Sequence, residues 1–426
     1  MTATQHSLLL RNVGVLVSCD PSQGEGPLGL VRDAAVLCRG TKIVYVGPES
    51  GLPDLDGDEP LTLDLDGHVV TPGLIDCHTH MVFAGDRLDD FQARLRGEPY
   101  AAISERGGGI LSTVTATRAA SDHMLRDLAE ARLEASVVQG ITTIETKSGY
   151  GLAHDQEIRL LETINKCDRN VIVDVVPTYL GAHSLPTEAR RSAAARRRFV
   201  DEVVDRTLPE VAERKLARFC DVFIEDGAFT LAEGRRILER ASDLGLGLKV
   251  HAEQLTHTGS ADLAAELGAV SADHLERVSD AGLAAMAESG TVAVILPGAA
   301  FFLRDELVDV RRFREAGVEV AVATDLNPGT SPINNLLLMA QMAVLGCHLA
   351  LEEALLSVTA AAAAALGLKD RGVLASGKRA DLALWRCRDP RELLYHFGTS
   401  PCSGVVKGGR YHRIESARPG RMRALG

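Results

Sequence analysis

The chain has 426 residues, two to three times the size of a common domain, so one large domain or two smaller ones both fit. Its 46 basic and 58 acidic residues leave a formal charge of −12, a balance that repels phosphate backbones and argues against nucleic acid as a partner. Hydrophobic residues make up 46% and charged residues 24%, a globular composition, and no apolar run approaches the ~20 residues of a membrane span.

At the N-terminus, polar residues from Thr2 to Ser7 precede an apolar run of only Leu8 to Leu10, too short for the core of an export signal. From Leu8 to Val70, β-rich pieces alternate with turns. The pieces are Val13 to Val17, Ala34 to Leu37, Lys42 to Val46, Leu61 to Leu65 and His68 to Thr71. Gly26-Pro27, Gly47-Pro48, Asp56-Gly57 and Asp66-Gly67 separate them, predicting an antiparallel β module. After Pro72-Gly73, strand candidates alternate with amphipathic stretches of ten to twenty residues. The eight candidates are Leu74 to Cys77, Thr142 to Thr146, Val171 to Val176, Val222 to Ile224, Leu246 to His251, Val270 to Ala272, Val292 to Leu296 and Glu319 to Ala323. Helical patterns such as Met124 to Gln139 and Leu231 to Leu244 stop at Gly140 and Gly245.

Eight strands joined by helices over about 250 residues match a (β/α)8 barrel. A doubly wound open sheet has the same alternation, since strand order is not written in one sequence. The alanine run Ala360 to Ala365 extends a helix-forming stretch. β character returns in Ala380 to Trp385 and Gly404 to Lys407. These patterns predict an α/β chain: a (β/α)8 barrel over 72–371 and a small β-sandwich module built from both ends, 1–71 and 372–426. Eight cysteines lie scattered at 19, 38, 77, 167, 220, 347, 387 and 402 without a C-x-x-C pair, which predicts a reduced, cytoplasmic protein with no thiolate metal site.

His78-Thr79-His80 directly follows the first barrel strand, and in an extended segment residues i and i+2 point the same way. A lone H-x-H recurs by chance, and a histidine ending a strand is commonly a satisfied core residue. Here His251, His274 and Asp325 also lie at the ends of their strands, so four elements deliver a ligand-type side chain to the catalytic face of a barrel. Imidazoles with a carboxylate suit zinc or iron, and an added water in such a shell yields hydroxide near neutral pH. Arg87 offers a planar fork for a carboxylate, or else a surface ion pair with Asp86, Asp89 or Asp90. Tyr150 stands between Gly149 and Gly151, as an aimed phenol or a solvent-exposed turn residue. Gly107 to Gly109 neither follows a strand nor leads to Lys-Ser/Thr, so it reads as a turn rather than a phosphate cradle. The basic run Arg190, Arg191 and Arg196 to Arg198 reads as a solvated helix face, and Glu145 with Lys147 as a salt-bridged support for the site.

The string VTPGLIDCHTH over residues 70–80, the aspartate of Ala323-Thr324-Asp325, and GKRADL over 377–382 resemble the amidohydrolase superfamily of metal-dependent hydrolases. Within it, HMVFAGDR (80–87), GGGILSTVTATR (107–118), ETKSGYGL (145–152), YLGAH (179–183), HAEQ (251–254), SADHLE (271–276) and TDLNPGTS (324–331) resemble the branch that opens the cyclic amide of 4-imidazolone-5-propanoate to N-formimino-L-glutamate in histidine degradation. The resemblance spans nearly the whole chain. It implies one metal ion, zinc or iron, on His78, His80, His251 and Asp325, with His274 at the water or the substrate oxygen. It further implies substrate contacts at Arg87, Tyr150, His183, Gln254 and Thr330, and product contacts at Asn327 and Gly329. Some members carry Glu at the position of Gln254, which leaves hydrogen bonding to the ring as its role here. A homodimer is also implied. Two other readings stay open: an aminohydrolase that removes ammonia from a heterocycle, and a non-catalytic scaffold on the same barrel.

Overall fold

The computed structural model describes residues 6–55, 59–98 and 108–414. The Asp56-Gly57 turn and Gly107 of the glycine run lie outside the described residues. Among the described residues, no helix is long and apolar enough to cross a membrane.

Strands β1 (Ser7–Val17), β2 (Leu30–Arg39), β3 (Lys42–Pro48), β4 (Leu61–Asp64) and β5 (Val69–Pro72) open the chain. The antiparallel expectation holds for β1 with β2 and for β2 with β3, but β1 pairs in parallel with both β4 and β5. The cause is an irregularity between Leu10 and Val13, where Asn12 has φ +51°. It splits an eleven-residue strand so that Leu8 to Arg11 meets β4 while Val15 and Leu16 meet β5.

The second sheet contains β6 (Leu74–Asp76), β7 (Ile141–Lys147), β8 (Asp174–Ala182), β9 (Phe219–Ile224), β10 (Gly247–Ala252), β11 (Ser271–His274), β12 (Val292–Ile295) and β13 (Val320–Val322). They lie side by side in chain order and every pairing is parallel. A parallel bridge between Thr79 and Leu326 brings the first and last strands together beyond their ends, with the His80 N–H on the Leu326 carbonyl and the Asp325 N–H on the His78 carbonyl. This closes the (β/α)8 barrel and sets aside the open sheet. The third barrel strand runs over Asp174–Ala182 rather than Val171 to Val176. Asp168 Oδ1 accepts the Val175 N–H and so starts the strand late, and the neighbouring strands carry it on through Pro177 and Gly181.

The chain then returns to the first sheet with β14 (Leu382–Trp385), β15 (Cys402–Lys407) and β16 (Arg410–Arg413), where β14 pairs with β5. One core of this mixed sheet packs Leu8, Leu16, Val36 and Val70 from the start of the chain against Leu374, Leu382 and Val406 from its end. The fully buried Trp385, the chain's one tryptophan, fastens this module to the barrel. Within the module its Nε1 donates to Thr71 Oγ1, and toward the barrel its ring fills the space where a Cβ on Gly140 would stand, 2.6 Å away. Gly140 has φ +88° and follows helix Asp122–Val137, so one glycine both stops a helix and admits the indole. The predicted helices are present as Asp122–Val137, Leu231–Asp243 and Ala360–Ala364. In the basic run, Arg197 and Arg198 are exposed as expected, whereas Arg196 is half-buried and grips Glu233 with two nitrogens.

Candidate active site

The carboxyl ends of four barrel strands deliver the histidines and the aspartate to one place. His78 and His80 follow β6, His251 lies in β10, His274 ends β11 and Asp325 follows β13. All five are buried. Asp325 Oδ1 stands 3.5 Å from His78 Nε2 and 3.4 Å from His80 Nε2. The His78 and His251 rings are 4.5 Å apart between centroids, and the His251 and His274 rings 5.3 Å. Nitrogen and oxygen atoms of three sets fall within 4.8 Å of one another: His78, His80 and Asp325; His78, His251 and His274; His80, His183 and His251. His274 (φ +83°) and Asp325 (φ +51°) adopt left-handed backbone, a strained turn found at functional strand ends.

Beneath these rings the barrel interior is polar. Asp273 Oδ2 sits 2.5 Å from His78 Nδ1, and Asp221 Oδ2 sits 2.9 Å from His251 Nδ1. Each carboxylate holds the Nδ1 side of its imidazole, which turns Nε2 toward the common space, where neither Nε2 has a hydrogen-bond partner. The Lys147 ammonium joins the two carboxylates: it lies 3.0 Å from Asp221, 3.8 Å from Asp273 and 2.7 Å from Glu145, with all four side chains fully buried. The expected Glu145–Lys147 pair is therefore present, and it leaves Lys147 turned to carboxylates below the rings.

Burial holds His78, His183 and His251 below the ordinary imidazole value of 6.5, and the Lys147 charge adds to this at His78 and His251. These imidazoles are neutral at pH 7 and offer lone pairs. At His274 burial pulls downward, but the carboxylates of Glu276, Asp325 and Asp273 outweigh it and the value rises. At Asp325 burial pulls upward, while His80 and the other imidazoles outweigh it and keep the carboxylate ionised. Neutral nitrogens without partners beside a buried anionic oxygen are the donor set of a borderline cation, so the residues fit a metal ion.

Of the remaining predicted residues, Tyr150 and His183 stand against His80, and Arg87 lies beside Gly329. The Arg87 guanidinium is 9% exposed, donates from Nε to Thr113 Oγ1 at 2.7 Å, and lies 3.5 Å from Asp90. Tyr150 is buried, with its ring 5.9 Å from His80 and 5.5 Å from His183, so it is no solvent-exposed turn residue. His183 stacks on His80 at 5.0 Å and has Nδ1 on the Gly149 carbonyl. Gln254 is half-buried. Asn327 spends its amide inside its own turn, donating to the Asp325 carbonyl and to Thr330 Oγ1, and accepting the N–H groups of Gly329 and Thr330. Sequence reasoning missed Asp221, Asp273 and Glu157. Asp221 carries a signal in hindsight, a lone carboxylate inside the otherwise apolar strand Phe219–Ile224, whereas Asp273 sits in the polar strand Ser271–His274 and carries none.

A closed parallel barrel with histidines and an aspartate gathered at its carboxyl ends defines a metal-dependent hydrolase scaffold. The amidohydrolase family matches residues 69–410. Imidazolonepropionase from Methylobacterium nodulans is 47% identical over 90% of this chain and 95% of its own length. The same enzyme from Shewanella amazonensis is 46% identical over 93% and 96%. The chain belongs to the amidohydrolase family and, within it, to the imidazolonepropionases. Among solved structures, atrazine chlorohydrolase TrzN from Arthrobacter aurescens, complexed with zinc, superposes with a TM-score of 0.70 at 19% identity, covering 95% of this chain and 94% of that one. N-isopropylammelide isopropylaminohydrolase from Burkholderia multivorans gives 0.69 at 21%, covering 95% and 98%. These two likenesses carry the fold.

Proposed function

We propose that this protein hydrolyses the cyclic amide of 4-imidazolone-5-propanoate to N-formimino-L-glutamate, using one metal ion, zinc or iron, held by His78, His80, His251 and Asp325. The observation that carries the reading is the meeting of the buried His78 and His80 with the Asp325 carboxylate, His251 joining through overlapping sets, near a half-buried Arg87 and a buried Tyr150, in a chain close to half identical to imidazolonepropionases. The bound ion would supply Lewis acidity that lowers the pKa of water and polarises a carbonyl.

The side chains then divide the work. Arg87 takes the propanoate carboxylate in its fork, with the Tyr150 phenol as second donor. His183, Gln254 and Thr330 hydrogen-bond the ring. Asn327 acts through its turn, presenting Gly329 and Thr330 to the opened product. Asp325 accepts the proton of the attacking water as its oxygen bonds to the ring carbonyl carbon. His274, with its raised proton affinity, donates to the carbonyl oxygen as negative charge grows there. When the carbon–nitrogen bond breaks, Asp325 returns the proton to the departing ring nitrogen, and the formimino group stays on the other nitrogen. The same reading makes the protein a cytoplasmic homodimer acting on a small molecule, which its eight free, buried cysteines suit.

The test is to incubate the metal-loaded protein with freshly prepared imidazolone propionate and follow both products. Formiminoglutamate without ammonia is expected. Ammonia released in step with substrate loss would identify an aminohydrolase, and no turnover at full metal occupancy would identify a scaffold.

A further inference from the structure

The Tyr150 loop is held along both of its polar edges by side chains from two helices. Glu157, on helix His154–Cys167, is 1% exposed and accepts three backbone donors from either side of Tyr150. Oε2 takes the Gly149 N–H at 2.9 Å, and Oε1 takes those of Gly151 and Leu152 at 2.7 Å each. From the other side, Arg118 on helix Ile110–Ala119 donates from Nε to the Gly151 carbonyl at 2.7 Å and from a terminal nitrogen to the Leu152 carbonyl at 3.1 Å. The loop backbone needs such support. Leu152 has φ +47°, and a Cβ on Gly151 would lie 2.7 Å from Glu157 Oε1.

The helix that carries Arg118 also carries Thr113, whose hydroxyl receives Arg87 Nε, and Thr117, whose hydroxyl receives the Ala84 N–H in the loop leading to Arg87. One helix therefore ties both Arg87 and the loop that carries Tyr150. We propose that Glu157, with Arg118 and Thr113 of this helix, is a positioning device that fixes Tyr150 and Arg87 at the spacing of one carboxylate and so determines selectivity for acid substrates. This rests on the reading that Arg87 and Tyr150 receive the propanoate group. Glu157 acts through the Tyr150 backbone. A neutral amide in its place turns one acceptor into a donor aimed at a backbone N–H, which displaces the loop and with it the phenol.

The experiment compares Glu157→Gln with the native protein on imidazolone propionate and on an analogue whose side-chain carboxylate is an amide. Metal content is measured on every sample. For the acid, kcat/KM falls about tenfold to a hundredfold, the scale of lost second-layer support and of a misplaced contact. The fall comes through KM, metal content is unchanged, and the amide analogue is barely affected. In a Tyr150→Phe background the added loss disappears. Equal losses on acid and amide, a fall confined to kcat, or full additivity with Tyr150→Phe would overturn the proposal. If Glu157→Gln fails to fold, Arg118→Met is read in the same way from the opposite edge of the loop. A Tyr150→Phe variant that treats acid and amide alike would overturn the carboxylate assignment and the proposal together. A selective Tyr150→Phe beside an indifferent Glu157→Gln would overturn the proposal alone.

Discussion

His78 and His251 each meet a carboxylate at Nδ1 and have no hydrogen-bond partner at Nε2, whereas His274 faces Glu276 across 3.8 Å and has its proton affinity raised. The two kinds of histidine should fail differently. His251→Ala is expected to lose both metal and turnover while keeping its circular dichroism spectrum. His274→Ala is expected to keep its metal and lose turnover by about a hundredfold or more, the scale of one transition-state donor. Metal content measured beside turnover on both variants separates the roles, and equal metal loss in the two would make His274 a ligand. These residues were legible because imidazoles at i and i+2 of an extended segment, and others at strand ends, announce themselves through spacing. Asp221 and Asp273 were harder, since a lone carboxylate in the apolar strand Phe219–Ile224 also fits a misread strand, and Asp273 lies in a short polar one.

At the level of elements, Lys147, Asp221 and Asp273 come from β7, β9 and β11, the second, fourth and sixth strands of the barrel. Alternate strands fill one layer of a barrel interior, so side chains distant in sequence meet at one height. This is why one lysine reaches two carboxylates, each holding a histidine. Lys147→Met would leave those carboxylates buried with reduced compensation. The expected cost is about 3–5 kcal/mol of stability from denaturant unfolding, together with a tenfold to hundredfold weaker metal affinity from chelator competition. Native affinity in a folded Lys147→Met protein would show that the lysine serves packing alone. The eight barrel strands and their glycine-ended helices could be read from periodicity. The double pairing of β1 could not, because it depends on a kink at Asn12 and on two partners far along the chain.

Across the whole molecule, both chain ends fold into one mixed sheet that clasps the barrel where Trp385 packs over Gly140. The N- and C-terminal β pieces were legible as a split module, but the indole packed over a helix-ending glycine was not, since it needs residues 245 positions apart to be neighbours. Sheet and barrel should unfold in one step, with Trp385 fluorescence and circular dichroism tracing the same denaturant curve. Trp385→Ala should lower stability by about 3–5 kcal/mol. A fluorescence transition preceding the loss of helix signal would show the module to be an independent unit.

The central claim, that this barrel directs water to the ring carbonyl of an imidazolone acid, is tested most directly by running the reaction in heavy-oxygen water and analysing the product by mass spectrometry and carbon NMR. The account predicts formiminoglutamate with one heavy oxygen in the carboxylate derived from the ring carbonyl and with both ring nitrogens retained. Heavy oxygen at the carbon between the two nitrogens, with the ring carbonyl left unlabelled as a primary amide, would contradict it.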